Sequence, residues 1–415
     1  MAGKTIIEKI IQAHSQEPVE PGKIVWMGLD VRTARDFAGA NVVQNYREHY
    51  GDAPLDDVSK TFFTFDCVVP AKNIPYANNQ HICRLWAREK GIKVYDVNAG
   101  IGSHVAIEEG LAVPGCTFVG TDSHLNILGA IGAFGQGMGD QDIAFAFKTG
   151  KTWFEVPPTM KVIIEGEVKF PCTARDLTLA VLGQLGSSGA LGRSVEFYGP
   201  AIDALDLSER ITLASQLTEM GGIIGFIPPS EEVLAYLSAR TTGEVSGVYA
   251  DPDAEYVETV VVDITNLEPL IACPPNPANV KPVREVARTR VDSVFLGSCT
   301  NGRFEDFAAV AEIVKGKRIQ PWMMASVVPA TREVYQLMLQ EGLIETLFDA
   351  GFIISNPGCG GCASGQIGMT GRGQVQVSTS NRNFTGKQGA GDTYLASPVT
   401  AAWCALAGEI TLPEA

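Results

Sequence analysis

The sequence predicts an α/β protein of three domains with parallel or mixed sheets, spanning roughly residues 1–156, 157–255 and 256–415. The C-terminal third alternates short β-rich runs with helical patterns, and the middle repeats that habit. At 415 residues the chain is also too long for one ordinary hydrophobic core.

The opening MAGKTIIEKIIQAHS puts Ile6, Ile7, Ile10 and Ile11 on one helical face, while Glu8 and Lys9 interrupt the apolar core a signal peptide requires. An amphipathic helix is expected there. Residues 61–65 and 117–119 read as strands that run into polar loops. In the middle, 161–165 reads as a strand, and 174–185 and 211–221 as helices. ACPPNPANVKPV, residues 272–283, crowds prolines into a short span and is expected to be an extended linker. Beyond it, strands at 291–296, 322–328 and 352–355 alternate with helices at 304–314 and 331–341, a βαβαβ unit. The glycines of GAIGAFGQGMG never fall into GxGxxG spacing, so they are read as close backbone contact and not as a nucleotide site.

A net charge of −15 argues against nucleic acid as a partner, because phosphate binding needs clustered Lys and Arg. No run approaches the roughly eighteen apolar residues of a membrane span. Nine scattered cysteines lack the density of a disulfide scaffold, so a reducing cytoplasm with buried or metal-binding thiols is the expectation. Cys83, Cys116, Cys172, Cys273 and Cys404 have apolar neighbours and read as core packing.

Cys299, in GSCTNGRFED, lies just past the strand expected at 291–296; Cys359 and Cys362, in NPGCGGC, lie just past the one at 352–355. Open α/β sheets build their sites outside the carboxyl ends of strands, so these two loops should meet in one crevice. Alone, the CxxC is compatible with a redox pair, a zinc half-site lacking a nearby fourth ligand, or a metal cluster.

GSCTNGRFED, NPGCGGCASG, STSNRNFTGKQG followed by TYLASP, and GTDSHLNILGAIGAFGQGMG resemble in order and spacing the aconitase superfamily, especially the large subunits of 3-isopropylmalate dehydratase and homoaconitase. The resemblance implies that Cys299, Cys359 and Cys362 hold a 4Fe-4S cluster whose fourth iron stays open as a Lewis acid for a leaving hydroxyl. It also implies that Asn301 and Asn381 lie close to cluster and substrate, and that Arg382 grips a substrate carboxylate. Within DSH, Asp122 and His124 match catalytic positions, with Glu219 of LTEMGG as the carboxylate partner of His124 and Ser123 on the substrate side.

Several positions depart from the family pattern. FDCVVPAKN keeps Asp66 but has Cys67 where a histidine is usual, and GIGSHV has Ser103 at another histidine position with His104 one residue later. Cys67 is expected to donate a proton or to pack, and His104 to take the missing role if its loop shifts. Leu125 replaces a threonine, and Lys387 replaces an arginine and exchanges a two-donor clamp for a point charge. Arg32, in GLDVRTARDF, is expected to be a new anion contact or an exposed helix residue.

The resemblance further implies a separate small subunit, a swivelling domain that supplies the catalytic base, because no Gly-Ser-Ser-Arg motif occurs in this chain. The expected reaction is reversible dehydration of a malate-type 2-hydroxy diacid such as 3-isopropylmalate, or of a 2-alkylmalate or 2,3-dimethylmalate in a specialised branch. A reading from another class is a non-catalytic iron–sulfur sensor.

Overall fold

The computed structural model describes residues 3–362 and 367–413, so Ala363 to Gly365 of the NPGCGGCASG motif lie outside the described residues. Five parallel strands form the N-terminal sheet in the spatial order 93–95, 61–64, 31–35, 117–120, 134–137. Strand Val31–Arg35 is buried at every position, as expected where helices cover both faces of a parallel sheet. The N-terminal helix Ile6–His14 buries all four isoleucines that predicted it.

The middle sheet has the order 224–226, 194–198, 159–165, 258–263, again all parallel. Its edge strand Glu258–Asp263 lies past the boundary expected at 255, so this unit takes more of the chain than the sequence predicts. The helix expected at 211–221 runs instead over Leu207–Gln216. Asp206 starts it early by accepting from the Glu209 amide at 2.9 Å, while the Glu209 carboxylate accepts from the Asp206 amide at 3.0 Å. A 3₁₀ turn, Leu217–Met220, follows and carries Glu219. Gly129 shows why the glycine-rich segment is glycine-rich: a Cβ there would stand 2.1 Å from the Gly225 carbonyl oxygen, where the N-terminal and middle units touch.

The third sheet has seven strands in the order 280–282, 270–272, 392–396, 375–378, 293–297, 324–328, 353–354. The proline-rich segment is not the linker expected. Leu270–Ala272 and Val280–Pro282 pair antiparallel and extend the sheet, with Pro274, Pro275 and Pro277 in the turn and Pro282 on the edge strand, where no ladder donor is missed. The helices Phe304–Val314 and Arg332–Gln340 alternate with the strands as predicted. Among the described residues no helix is long and apolar enough to cross a membrane.

Strand order reverses once in each outer sheet. From 31–35 the N-terminal sheet grows one way through 61–64 and 93–95 and the other way through 117–120 and 134–137. From 293–297 the C-terminal sheet grows through 324–328 and 353–354 on one side and through 375–378 and 392–396 on the other. Such switch points leave crevices at the carboxyl ends of the strands, and residues from both rims meet in one cavity.

Candidate active site

The cavity has a volume of about 520 Å³. Cys299, Cys359 and Cys362 line it from the C-terminal rim together with Arg382 and Lys387; Arg35, Cys67, Asp122, Ser123 and His124 line it from the N-terminal rim. Strand 293–297 ends in Gly297, and the next residue, Ser298, takes a φ of 76°, the left-handed region a side chain rarely adopts, to turn the chain into Cys299. At the other loop Gly360 has a φ of 56°, and a Cβ on it would stand 2.7 Å from the Phe295 ring.

Arg35, at the carboxyl end of its strand, ties the two rims together. Its Nε donates to Asp66 Oδ1, its Nη1 to Asp122 Oδ1 and its Nη2 to Cys359 Sγ, each at 2.7 Å. The sequence reading missed it and chose Arg32 from the same strand. Arg32 lies outside the cavity: it is buried on a strand, not exposed on a helix, and donates to the Leu29 carbonyl at 3.1 Å and to Asp56 at 3.0 Å. The signal that separates them is place on the strand, since the carboxyl-end position is the one that reaches a crevice. Lys72, Tyr76, Ile101 and Thr121 also line the cavity without having been singled out, and Phe37 stands 65% exposed beside them.

His124 is held from both sides. Its Nε2 pairs with Glu219 Oε1 at 3.1 Å, and its Nδ1 lies 3.2 Å from the Ser123 hydroxyl. Glu219 also accepts from Arg382 Nε, so the pair is a three-residue line into the cavity. Burial pushes the Glu219 carboxyl up, but the bond from His124 and the charge of Arg382 outweigh it and hold the group below the usual carboxylate range. Asp122 is likewise pushed up by burial and brought below its ordinary value by Arg35 and His124, whose amide donates to it at 3.0 Å.

Asp66 and Cys67 differ in what they face. Asp66 is fully buried, with one oxygen on Arg35 and the other accepting from the Gly102 amide at 2.7 Å, so it supports the wall and does not line the cavity. Cys67 does line it. Its sulfur lies within 4.8 Å of Cys359 Sγ, and that neighbour, with burial, pushes the thiol well above its usual range. The Asp36 carboxylate fixes this loop by accepting from the amides of Cys67 at 2.9 Å and Val68 at 3.0 Å.

His104 lies behind the cavity wall, fully buried, with Nε2 3.1 Å from the Cys299 carbonyl oxygen. Burial and the nearby Arg303 lower it to about 3, so it stays neutral. His104 lies on the helix Gly102–Glu108 and is not among the residues that line the cavity, so the expected proton-transfer role is not within its reach. Asn381 sits beside the cysteine loop, its Oδ1 3.4 Å from Cys299 Sγ and accepting from the Thr300 hydroxyl. Asn301 turns the other way: it donates to Asp306 at 2.9 Å and lines a separate cavity of about 190 Å³. The loop carrying Asn381 and Arg382 is anchored from the middle unit, where buried Arg175 donates to the Ser380 carbonyl and to Gln216, each at 2.7 Å.

The donor set fits an iron–sulfur cluster. Three cysteine sulfurs from two loops line one cavity, and the Arg35 guanidinium lies on that of Cys359, where its positive charge offsets the negative charge of a thiolate-bound cluster. Asp66, Cys67 and Cys359 additionally bring an oxygen and two sulfurs within 4.8 Å of one another.

The profile of the Aconitase family (aconitate hydratase) matches residues 8–408. The chain is 42% identical over 415 residues to the 3-isopropylmalate dehydratase large subunit 1 of Methanopyrus kandleri, with 99% of each chain covered. It is 39% identical over 421 residues to the probable methanogen homoaconitase large subunit of Methanothermobacter thermautotrophicus, covering 100% of this chain and 98% of the relative. The crystal structure of Thermococcus kodakaraensis aconitase X in its holo-form superposes with a TM-score of 0.53 at 13% identity, over 91% of this chain and 89% of that one, a likeness of fold alone. Because the match runs along nearly the whole sequence and not over the cysteine loops alone, the chain belongs to the aconitase family of hydro-lyases, a membership that implies an iron–sulfur cluster.

Proposed function

We propose that this chain is the large subunit of a hydro-lyase that removes and re-adds water on a malate-type 2-hydroxy diacid such as 3-isopropylmalate, with a 4Fe-4S cluster on Cys299, Cys359 and Cys362. The observation that carries this reading is the convergence of those cysteines, the Glu219–His124 pair and the cationic Arg382 and Lys387 on one cavity. When bound, the cluster supplies a Lewis-acidic iron that weakens the bond to the leaving hydroxyl.

The chain's own residues bind the diacid and manage protons. Arg382 presents a planar fork suited to a carboxylate, and Lys387 a point charge for a second one. With Nε2 engaged by Glu219, His124 has Nδ1 as the nitrogen that exchanges a proton, directly or through the Ser123 hydroxyl. The Cys67 thiol, on the cavity wall, is positioned to give a proton to a departing hydroxyl, a role His104 does not reach. Relatives carry the name large subunit, which supports a small-subunit partner that adds the base as a swivelling domain. The nine cysteines are all unpaired, which suits the reducing cytoplasm.

Cys67 and Lys387 favour a specialised substrate, a 2-alkylmalate or 2,3-dimethylmalate, within the same reaction class. The intact His124–Glu219–Arg382 line speaks for catalysis over a sensor role. The test is turnover of the anaerobically reconstituted pair on a panel of alkylmalates. Hydration and dehydration of at least one member is expected, with no measurable turnover by this chain alone. Full activity of the isolated chain overturns the subunit reading, and a cluster-loaded pair inactive on every diacid overturns the substrate class.

A further inference from the structure

Cys67 is a fourth sulfur at the cavity, and the loops around it hold it against one cluster cysteine in particular. The Cys359 amide donates to the Asp66 carbonyl at 2.9 Å, which clamps the two segments side by side. The Cys67 and Cys359 sulfurs lie within 4.8 Å of one another, and Arg35 Nη2 donates to Cys359 Sγ from a third direction at 2.7 Å. Both sulfurs line the cavity, so a small oxidant that enters it meets the pair directly.

We propose that Cys67 and Cys359 are a redox pair: in the cluster-free chain a peroxide joins them as a disulfide, which masks a cluster ligand until a dithiol reopens it. The inference rests on the reading of Cys359 as a ligand. In the first step the Cys359 sulfur attacks one peroxide oxygen, the O–O bond breaks, one water leaves and a sulfenic acid remains. In the second, the Cys67 sulfur attacks that sulfur, the S–O bond breaks and a second water leaves. Two S–H bonds and one O–O bond are lost, one S–S bond and two O–H bonds are gained, and the two electrons given up by the thiols reduce hydrogen peroxide to two waters. The competing product is a bond between Cys359 and Cys362, which a short 3₁₀ turn, Gly360–Cys362, separates. Disulfide exchange with a dithiol reverses the first product and restores both thiols.

The experiment uses the full chain, stripped of iron under reducing conditions, exposed to stoichiometric hydrogen peroxide, alkylated in denaturant and digested for mass spectrometry. The expected result is a cross-linked peptide pair containing Cys67 and Cys359 that dithiothreitol separates. Iron uptake in a subsequent reconstitution should fall at least tenfold after peroxide and return after dithiothreitol. A Cys359–Cys362 bond as the main product, or Cys67 recovered fully alkylated, overturns the proposal. An untreated, reduced chain that assembles no cluster overturns the ligand reading instead, and the peptide map still decides whether the two thiols pair.

Discussion

The two rims of the cavity obey the same topological rule and were unequally readable. On the C-terminal rim, Cys299, Cys359 and Cys362 follow the ends of strands 293–297 and 353–354 inside short glycine-bearing motifs, so type, spacing and place coincide in the sequence. On the N-terminal rim, Arg35, Asp66 and Asp122 come from three strand ends far apart in the chain and form a unit only through contacts of 2.7 Å. Groups that touch a cofactor announce themselves locally. Groups that hold such groups in place do so through partners the sequence does not name.

Changes on the C-terminal rim should have the largest effect. Cys299→Ser, Cys359→Ser or Cys362→Ser should abolish iron and sulfide binding after anaerobic reconstitution, read by metal analysis and visible absorbance, because two thiolates leave a cluster under-ligated. Cys404→Ser, in the core beside helix Phe304–Val314, should keep it. If all three serine variants retain a full cluster, the comparison between rims fails at its stronger end.

Arg35 tests the other rim. Arg35→Met leaves Asp66 and Asp122 buried without their cation, a loss of about 3–5 kcal/mol in unfolding free energy by chemical denaturation. Arg35→Lys should recover little of it, since one ammonium does not reproduce three directed bonds. A stability change within about 0.5 kcal/mol for Arg35→Met would mean that the rims are not coupled through this residue.

Glu219→Gln probes the supporting carboxylate with its shape kept. The turnover of the reconstituted pair should fall roughly 10- to 100-fold, the usual cost of removing a group that orients a reacting one. Stability should also respond to pH. A carboxyl held below its unfolded value stabilises the fold above the unfolded pKa and loses that contribution as pH falls through the lower folded value. The glutamine variant should lack this acid-side loss, so wild type and variant should converge in the difference between their neutral and acid denaturation midpoints only if Glu219 is not paired as described.

What the sequence made legible follows the same division. Helices 174–185 and 304–314 are readable to the residue because apolar periodicity runs the full length of each. Helix Leu207–Gln216 was displaced because its start depends on the Asp206–Glu209 capping box, which periodicity overlooks. The proline-rich hairpin reads as a linker in sequence because edge pairing is long-range, and prolines are tolerated where no ladder donor is missed. Arg32 and Arg35 look alike in sequence because both sit in one buried strand, and only the direction of the strand relative to the crevice tells them apart.

His104 gives the smallest expected effect on catalysis and the sharpest test of whether a buried histidine behind the cysteine loop supports it or reacts. Its ring is neutral in the folded chain, lowered to about 3, whereas an unfolded histidine titrates near 6.5. Between those values the unfolded chain binds a proton that the folded chain refuses, so the contribution to stability is complete above about pH 6.5 and erodes as pH falls toward 3. His104→Gln removes that titration while keeping an amide donor for the Cys299 carbonyl. Denaturation midpoints should therefore fall less steeply with acid in the variant than in wild type, with a somewhat lower midpoint at neutral pH from imperfect packing at a fully buried site. The pH–rate profile of the reconstituted pair should keep its shape, because the ring faces a backbone carbonyl and not the cavity. A rate loss of roughly a hundred- to ten-thousand-fold with one limb of the profile gone would instead make His104 a proton-transfer residue, and would place a reacting group where the fold shows a supporting one.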